Sequence, residues 1–216
     1  MRSGALEPYE ESLADLGELS LVSSDGTVLA LDVRRYVADV DAADETILDR
    51  CDGPTLDLGA GPGRMVRALA ARGTVALGVD LAAAAVALSN DQGGTALLRD
   101  VFDRLPAEGR WSVALLVDGN IGIGGDVDRL LGRVATLLAP GGRLVAEVAD
   151  DDELDAVWEA RFARGGLVAG PRFPWAQVGA AALARRAARH GFRVAEDWTV
   201  DGRRLLSLRR AAPPGR

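Results

Sequence analysis

The 216-residue chain contains no lysine; all 25 of its basic residues are arginine. A P-loop lysine, a Schiff-base lysine and a pyridoxal anchor are therefore excluded. It has one cysteine, Cys51, and one histidine, His190. The first scarcity removes disulfides, cysteine-rich zinc sites and CxxC redox pairs. The second removes HExxH and multi-histidine metal cages. No serine lies in a GxSxG elbow, so the usual hydrolase nucleophile is absent too. Long apolar runs are also missing: the stretch from Val75 to Leu88 carries Gly78 and Asp80 and is too short to cross a bilayer. The opening MRSGALEPYE has no signal-peptide core. A net charge of −7 and a pI near 4.8 repel a phosphate backbone. The late group Arg185, Arg186, Arg189 and Arg193 is more simply a solvated helix face. These exclusions predict a cytoplasmic protein with no membrane, nucleic-acid or metal partner, whose hard chemistry comes from a bound cofactor.

What is present is a 48% hydrophobic chain, ample for one core. From Pro54 onward, short continuous apolar runs alternate with helical stretches. The runs are TLDLG (55–59), TVALGVD (74–80), TALLRD (95–100), SVALLVD (112–118) and RLVAEV (143–148). Their continuity marks strands buried on both faces, and the alternation predicts a parallel sheet with helices on both sides. The end of the chain differs: a helix in AAALARRAARHG, a strand in FRVAEDWTV, a turn at Asp201-Gly202 and a strand in RRLLSLRR. The pattern before Pro54 predicts a hairpin around Ser24-Asp25-Gly26 and a helix from Ala42 to Cys51, with Asp41 as its N-cap and Glu45 in its first turn. The chain reads as one domain over 1–216, with 1–49 a cap segment and 50–216 a sheet core that binds the cofactor.

The strongest local signal is Asp57-Leu58-Gly59-Ala60-Gly61-Pro62-Gly63, which follows a strand and opens a helix. Glycines there let the backbone turn tightly and approach a ligand beside free helix N–H groups. A dinucleotide fingerprint counted from Gly59 needs glycine at position 64, where Arg64 stands. A ligand without a pyrophosphate does not need that third glycine.

With this loop, the acid Asp80 ending LGVDL, the acid Asp100 in LLRDVFDRLP and the LLAPGGRLV turn, the chain resembles the class I S-adenosylmethionine-dependent methyltransferases. The resemblance runs from Pro54 to the final hairpin. It implies an α/β, Rossmann-like fold: a seven-stranded, mostly parallel sheet with an antiparallel last strand and helices on both faces, under a short N-terminal cap. The same resemblance implies that Gly59, Ala60, Gly61 and Gly63 cradle S-adenosylmethionine. It places Asp80 on the ribose hydroxyls, Leu81 against the base, and Asp100 with the Val101 N–H at the adenine edge. Asp57 and Asp118 fall to the methionine ammonium. The loop Asp118-Gly119-Asn120-Ile121-Gly122-Ile123-Gly124-Gly125 lacks the Asn-Pro-Pro-Tyr of base and glutamine methylases and resembles a subgroup of small bacterial methyltransferase-like proteins.

The function expected is methyl transfer to a small-molecule oxygen or nitrogen acceptor, giving S-adenosylhomocysteine. Asp118 is the candidate general base and Asn120 the candidate that orients the acceptor. Two other readings remain open at this point: a protein of this fold that binds cofactor or product without transfer, and a nicotinamide-dependent oxidoreductase. Tyr9 and Tyr36, and the aromatics Trp158, Phe162, Phe173 and Trp175, are candidates for the acceptor pocket. Trp158 and Phe162 stand at helical spacing and read as core, while Phe173-Pro174-Trp175 reads as a helix start. The acid run 150–152 is a solvated loop, and His190 partners a helix C-terminus.

Overall fold

The computed structural model describes residues 6–211. It opens with α1 (Glu7–Asp15), the hairpin β1 (Leu19–Ser23) and β2 (Val28–Leu31), and the short helices α2 (Val33–Val37) and α3 (Ala42–Leu48). Asp41 caps α3 as expected, but its capping-box partner is Asp44: each side chain accepts from the other's backbone N–H.

Alternating strands and helices follow: β3 (Thr55–Leu58), α4 (Arg64–Ala71), β4 (Ala76–Asp80), α5 (Ala83–Asp91), β5 (Ala96–Leu98), β6 (Trp111–Leu116), a 3-10 turn (Asn120–Gly122), α6 (Val127–Leu137) and β7 (Leu138–Val148). The chain closes with β8 (Asp155–Arg164), β9 (Leu167–Val178), α7 (Ala180–Arg189), β10 (Phe192–Val200) and β11 (Arg203–Arg210). Seven strands form one sheet in the order β10-β11-β7-β6-β3-β4-β5. Every pairing among β3 to β7 is parallel, and β11 runs antiparallel to both of its neighbours. This is the parallel sheet that the apolar runs predicted, closed by the terminal hairpin, and the Rossmann-like architecture that the resemblance implied.

The continuous runs are continuous because both faces are covered. In β6, Ala114 and Leu116 join one apolar cluster with α6 and α7, while Val113 and Leu115 join another with Met65 and Leu69 of α4 and Ile47 of α3. Each fully buried leucine of this kind contributes about 1.5–3 kcal/mol.

The segment 155–178 corrects the sequence reading. It contains no helix; β8 and β9 form a hairpin in a second, antiparallel sheet ordered β2-β1-β8-β9. Trp158 and Phe162 do pack in a core, but on a strand rather than a helix. Pro174 is tolerated because β9 is the edge strand, where a missing N–H breaks no ladder on the open side. A third apolar cluster joins this sheet to α1, α2 and the start of α5, through Leu13, Leu21, Val33, Ala85, Phe162 and Phe173.

No helix among the described residues is long and apolar enough to cross a membrane.

Candidate functional site

The direction of winding reverses at β3, whose neighbours are β4 on one side and β6 on the other. In open α/β sheets the crevice at that switch point, outside the carboxyl ends of the strands, is where ligands bind. A cavity of about 150 Å³ lies there. Its floor comes from strand ends: Gly59, Ala60 and Gly61 after β3, Asp80 and Leu81 at β4, Asp100 and Val101 after β5, and Asp118 and Asn120 after β6. Its roof comes from the second sheet and α1, including Tyr9, Leu21, Phe162, Phe173 and Trp175. Phe173 contacts Phe162 at 5.1 Å and Trp175 edge-on at 6.3 Å between ring centres, giving a stiff apolar wall.

The glycine loop meets the expected need for left-handed backbone, with φ of +77° at Gly59 and +54° at Gly61. The Gly61 N–H donates to Asp80 Oδ2 at 2.8 Å, and the Ala82 N–H donates to Asp80 Oδ1 at 2.8 Å. Asp80 is thus both a turn residue and part of the cavity floor. Burial raises its pKa, and the two backbone donors counter only part of that rise. Asp100 accepts from the Phe102 N–H through Oδ1.

Two residues assigned to the ligand lie elsewhere. Asp57 is 2% exposed and sits beneath the loop, outside the cavity lining. Burial pushes its carboxyl up to about 7, Arg64 pulling it down and Asp118 and Asp80 adding to the rise. Its Oδ1 is buried with no hydrogen-bond partner among the described residues. Gly63 also lies outside the lining; it caps α4 at φ +80°, and a Cβ there would fall 2.0 Å from Ser89 Oγ of α5. Its glycine is required by helix packing.

Asp118 and Asn120, read as general base and acceptor-orienting residue, are both engaged in hydrogen bonds within the chain. Asp118, at a left-handed φ of +55°, accepts from three guanidinium groups: Arg35 at 2.5 Å, Arg64 at 3.0 Å and Arg203 at 3.3 Å. Three of the roughly four acceptor sites of this carboxylate are engaged by guanidinium donors. Asn120 does not turn its amide outward; Nδ2 donates to the Gly59 carbonyl at 2.7 Å and ties the loop after β6 to the glycine loop. Two glycines of that segment, Gly122 and Gly125, serve the hairpin above them. A Cβ on Gly122 would lie 2.2 Å from the Ala176 carbonyl oxygen, and one on Gly125 would lie 2.6 Å from Pro174. Ile123 bridges Trp175, so β9 lies flat along this loop.

The arginines around Asp118 belong to a network that sequence reasoning missed. Arg64 donates to both oxygens of Asp44, at 2.7 and 3.0 Å, and Arg35 and Arg203 reach the same carboxylate at 2.8 and 2.9 Å. Arg203 also forks onto Glu147 at 2.9 and 2.7 Å, and Glu147 accepts the Asp118 N–H. From sequence, Arg64 reads only as the residue that spoils a third glycine. In the structure it is 4% exposed, lies in the cavity wall and is a cation at the head of α4. Its position directly after the glycine motif was the one available signal.

Tyr9 and Tyr36 both line the cavity. Burial raises each phenol's pKa; the charge adding most to the rise is Asp80 for Tyr9 and Asp118 for Tyr36. No group of three or more His, Cys, Asp or Glu side chains among the described residues is placed to hold a metal ion.

A family model described as a methyltransferase domain matches residues 32–197. Among solved structures, the chain is similar to a SAM-dependent methyltransferase from Bacteroides fragilis in complex with S-adenosyl-L-homocysteine, with TM-score 0.81, 20% identity, and 98% of each chain covered. It is also similar to the 1,6-didemethyltoxoflavin-N1-methyltransferase of Burkholderia thailandensis, with TM-score 0.59, 20% identity, and 79% of this chain and 77% of that one covered. The CcbJ methyltransferase of Streptomyces caelestis matches with TM-score 0.61 and 16% identity, over 82% of this chain and 92% of that one. No curated protein matches the sequence.

Proposed function

The chain belongs to the methyltransferase domain family, and from that membership we propose that it transfers a methyl group from S-adenosylmethionine to a small-molecule acceptor. The observation that carries the reading is the cavity at the switch point, where a left-handed glycine loop and a half-buried carboxylate, Asp80, meet under an apolar roof. The residues fit the cofactor. A carboxylate has about four acceptor sites, and the two backbone donors on Asp80 leave two for ribose hydroxyls. The Asp118 carboxylate suits a cationic amino-acid end, and Arg64 suits its carboxylate. Leu81, Asp100 and Val101 supply an apolar plate and polar edge for the base.

S-adenosylmethionine brings a methyl group already activated on a sulfonium. The chain's own residues then have to align two reactants and exclude water, which is a large part of the barrier in a bimolecular transfer. Tyr9, Phe173 and Trp175 roof the cavity, while the arginine network fixes the backbone after β6. With Asp118 held by three arginines, we assign it to positioning rather than to proton removal. Asn120 is assigned to the cofactor side, as a brace on Gly59.

Calorimetric titration with S-adenosylmethionine, S-adenosylhomocysteine and NAD tests the reading. Saturable binding of the first two and none of NAD is expected; the reverse would overturn the proposal in favour of a nicotinamide enzyme. Asp80→Ala should weaken cofactor binding by about one to two decades, the equivalent of roughly 1.5–3 kcal/mol of charge-assisted hydrogen bonding. Circular dichroism checks its fold, and unchanged affinity would take Asp80 out of the site. Asn120→Ala should weaken cofactor binding by about tenfold, since the Gly59 carbonyl loses its brace, roughly 1.4 kcal/mol. An Asn120→Ala variant with intact cofactor affinity and a depressed turnover would instead return this residue to the acceptor.

A further inference from the structure

A second cavity, of about 260 Å³, lies beside the first along the same sheet edge. The first spans the ends of β5, β4, β3 and β6; the second spans the ends of β6 and β7, under β2 and β9. The two share Leu31, Tyr36, Asp118 and Trp175, so they meet at one place. Their linings differ in character. The first is walled by leucines and aromatics, whereas the second presents Asp32, Asp118 and Glu147, with Gln177 and the rings of Tyr36 and Trp175. No arginine among the described residues lines it.

We propose that this second cavity is the acceptor pocket and that it selects small amines, in the ammonium or N–H-donor form, over carboxylate or phosphate acceptors. The inference rests on the methyl-transfer reading. Its physical ground is the charge balance behind the lining. Asp41, Asp44, Asp118 and Glu147 share three guanidiniums, those of Arg35, Arg64 and Arg203. The network therefore retains one uncompensated negative charge, and each of its arginines is paired with at least two of its own carboxylates. Asp32 adds another at the mouth, where its Oδ1 also caps α2 through the Arg35 N–H. Carboxylates beside aromatic faces attract an ammonium and accept from N–H groups. An anionic acceptor would meet like charge and no cationic donor in the lining.

An amine seated at β6 and β7 adjoins the cofactor cavity where the two linings share Tyr36, Asp118 and Trp175. An amine bound as the ammonium first gives one proton to water; the lone pair so freed forms the N–C bond as the S–C bond breaks, the S–C electron pair stays on sulfur, and the product is a methylammonium.

The test uses three probes of one shape: benzylamine, benzyl alcohol and benzoate. Each is titrated by calorimetry at neutral pH into the full chain saturated with S-adenosylhomocysteine. Benzylamine should bind at least about tenfold more tightly than benzoate and about fivefold more tightly than the alcohol. Asp32→Asn, which keeps a good cap for α2, should reduce the preference for amine over alcohol to about twofold or less. It should leave S-adenosylhomocysteine affinity unchanged, which a general loss of structure would not do. Benzoate or alcohol binding as tightly as the amine, or no saturable amine binding, overturns the pocket assignment while the cofactor titration still stands. Failure of S-adenosylhomocysteine to bind overturns the methyl-transfer reading itself, whatever the amine does. A panel assay following S-adenosylhomocysteine release completes the test: turnover confined to amines supports the proposal, and turnover confined to acids or alcohols removes it.

Discussion

Asp44→Ala is expected to lower the unfolding free energy by about 3–5 kcal/mol, because it removes the shared anion beneath a buried cluster of cations. Asp44 is 0% exposed and takes four hydrogen bonds from Arg35, Arg64 and Arg203. Without it, Arg64, itself 4% exposed, keeps only Asp118 as a carboxylate partner. Burial alone would raise the Asp44 pKa, but its hydrogen bonds and charge pairing with Arg64 and Arg203 hold it below the ordinary 3.8. The sign follows from linkage: the unfolded chain takes up this proton first as pH falls. The stabilisation is complete above the ordinary carboxylate value and is lost as acid carries the pH down through the depressed folded value. Urea unfolding of both proteins, near neutrality and in acid, would show a gap that narrows below that range. A loss under about 1 kcal/mol near neutrality would mean that the network is largely solvated. The same variant should weaken cofactor binding, since Arg64 and Asp118 would lose their common anchor.

How far such a network can be seen beforehand is limited by its topology. Its members come from α2, α3, α4 and the ends of β6, β7 and β11, and the Arg203–Asp44 contact joins residues 159 apart in sequence. No local period or spacing connects them. The seven-stranded sheet, by contrast, was legible because burial on both faces leaves uninterrupted apolar runs, as in Ser112–Asp118. The terminal hairpin was legible through Asp201-Gly202, with Asp201 at φ +50° and Gly202 at +75°. Strands β8 and β9 were hidden for a nameable reason. Trp158 and Phe162 stand four apart, and Pro174 sits where it would suit a first helical turn, so two helix signals coincide on a strand pair. The alternating burial of β8, with Ala156, Trp158 and Ala160 less exposed than Val157 and Glu159 between them, was the competing period-two signal. The loop after β6 was recognised as glycine-rich, but Gly122 and Gly125 answer to Trp175, Ala176 and Pro174, which a sequence read as helical there could not bring onto it.

Gly61→Val is expected to cost at least about a hundredfold in affinity for both S-adenosylmethionine and S-adenosylhomocysteine, the equivalent of roughly 2.7 kcal/mol. Two independent effects converge at this residue. Its φ of +54° lies in the left-handed region that a β-branched side chain adopts only with strain. Its Cβ would also fall 2.9 Å from the Tyr9 hydroxyl, so the new side chain projects into the space between the loop and the roof. Relief of the strain would rotate the peptide and pull the Gly61 N–H off Asp80 Oδ2, releasing the carboxylate assigned to the ribose. Gly61→Ala separates the two effects: it keeps most of the backbone strain but adds one methyl, so it should fall between the parent and the valine variant. Thermal unfolding distinguishes a lost site from a lost fold, because Gly61 lies at the surface of a cavity rather than in a strand ladder. A variant that melts within a few degrees of the parent and binds neither ligand places the cofactor on this loop. If Gly61→Val binds both ligands normally, the loop is only a turn, and the cavity above it serves some other molecule.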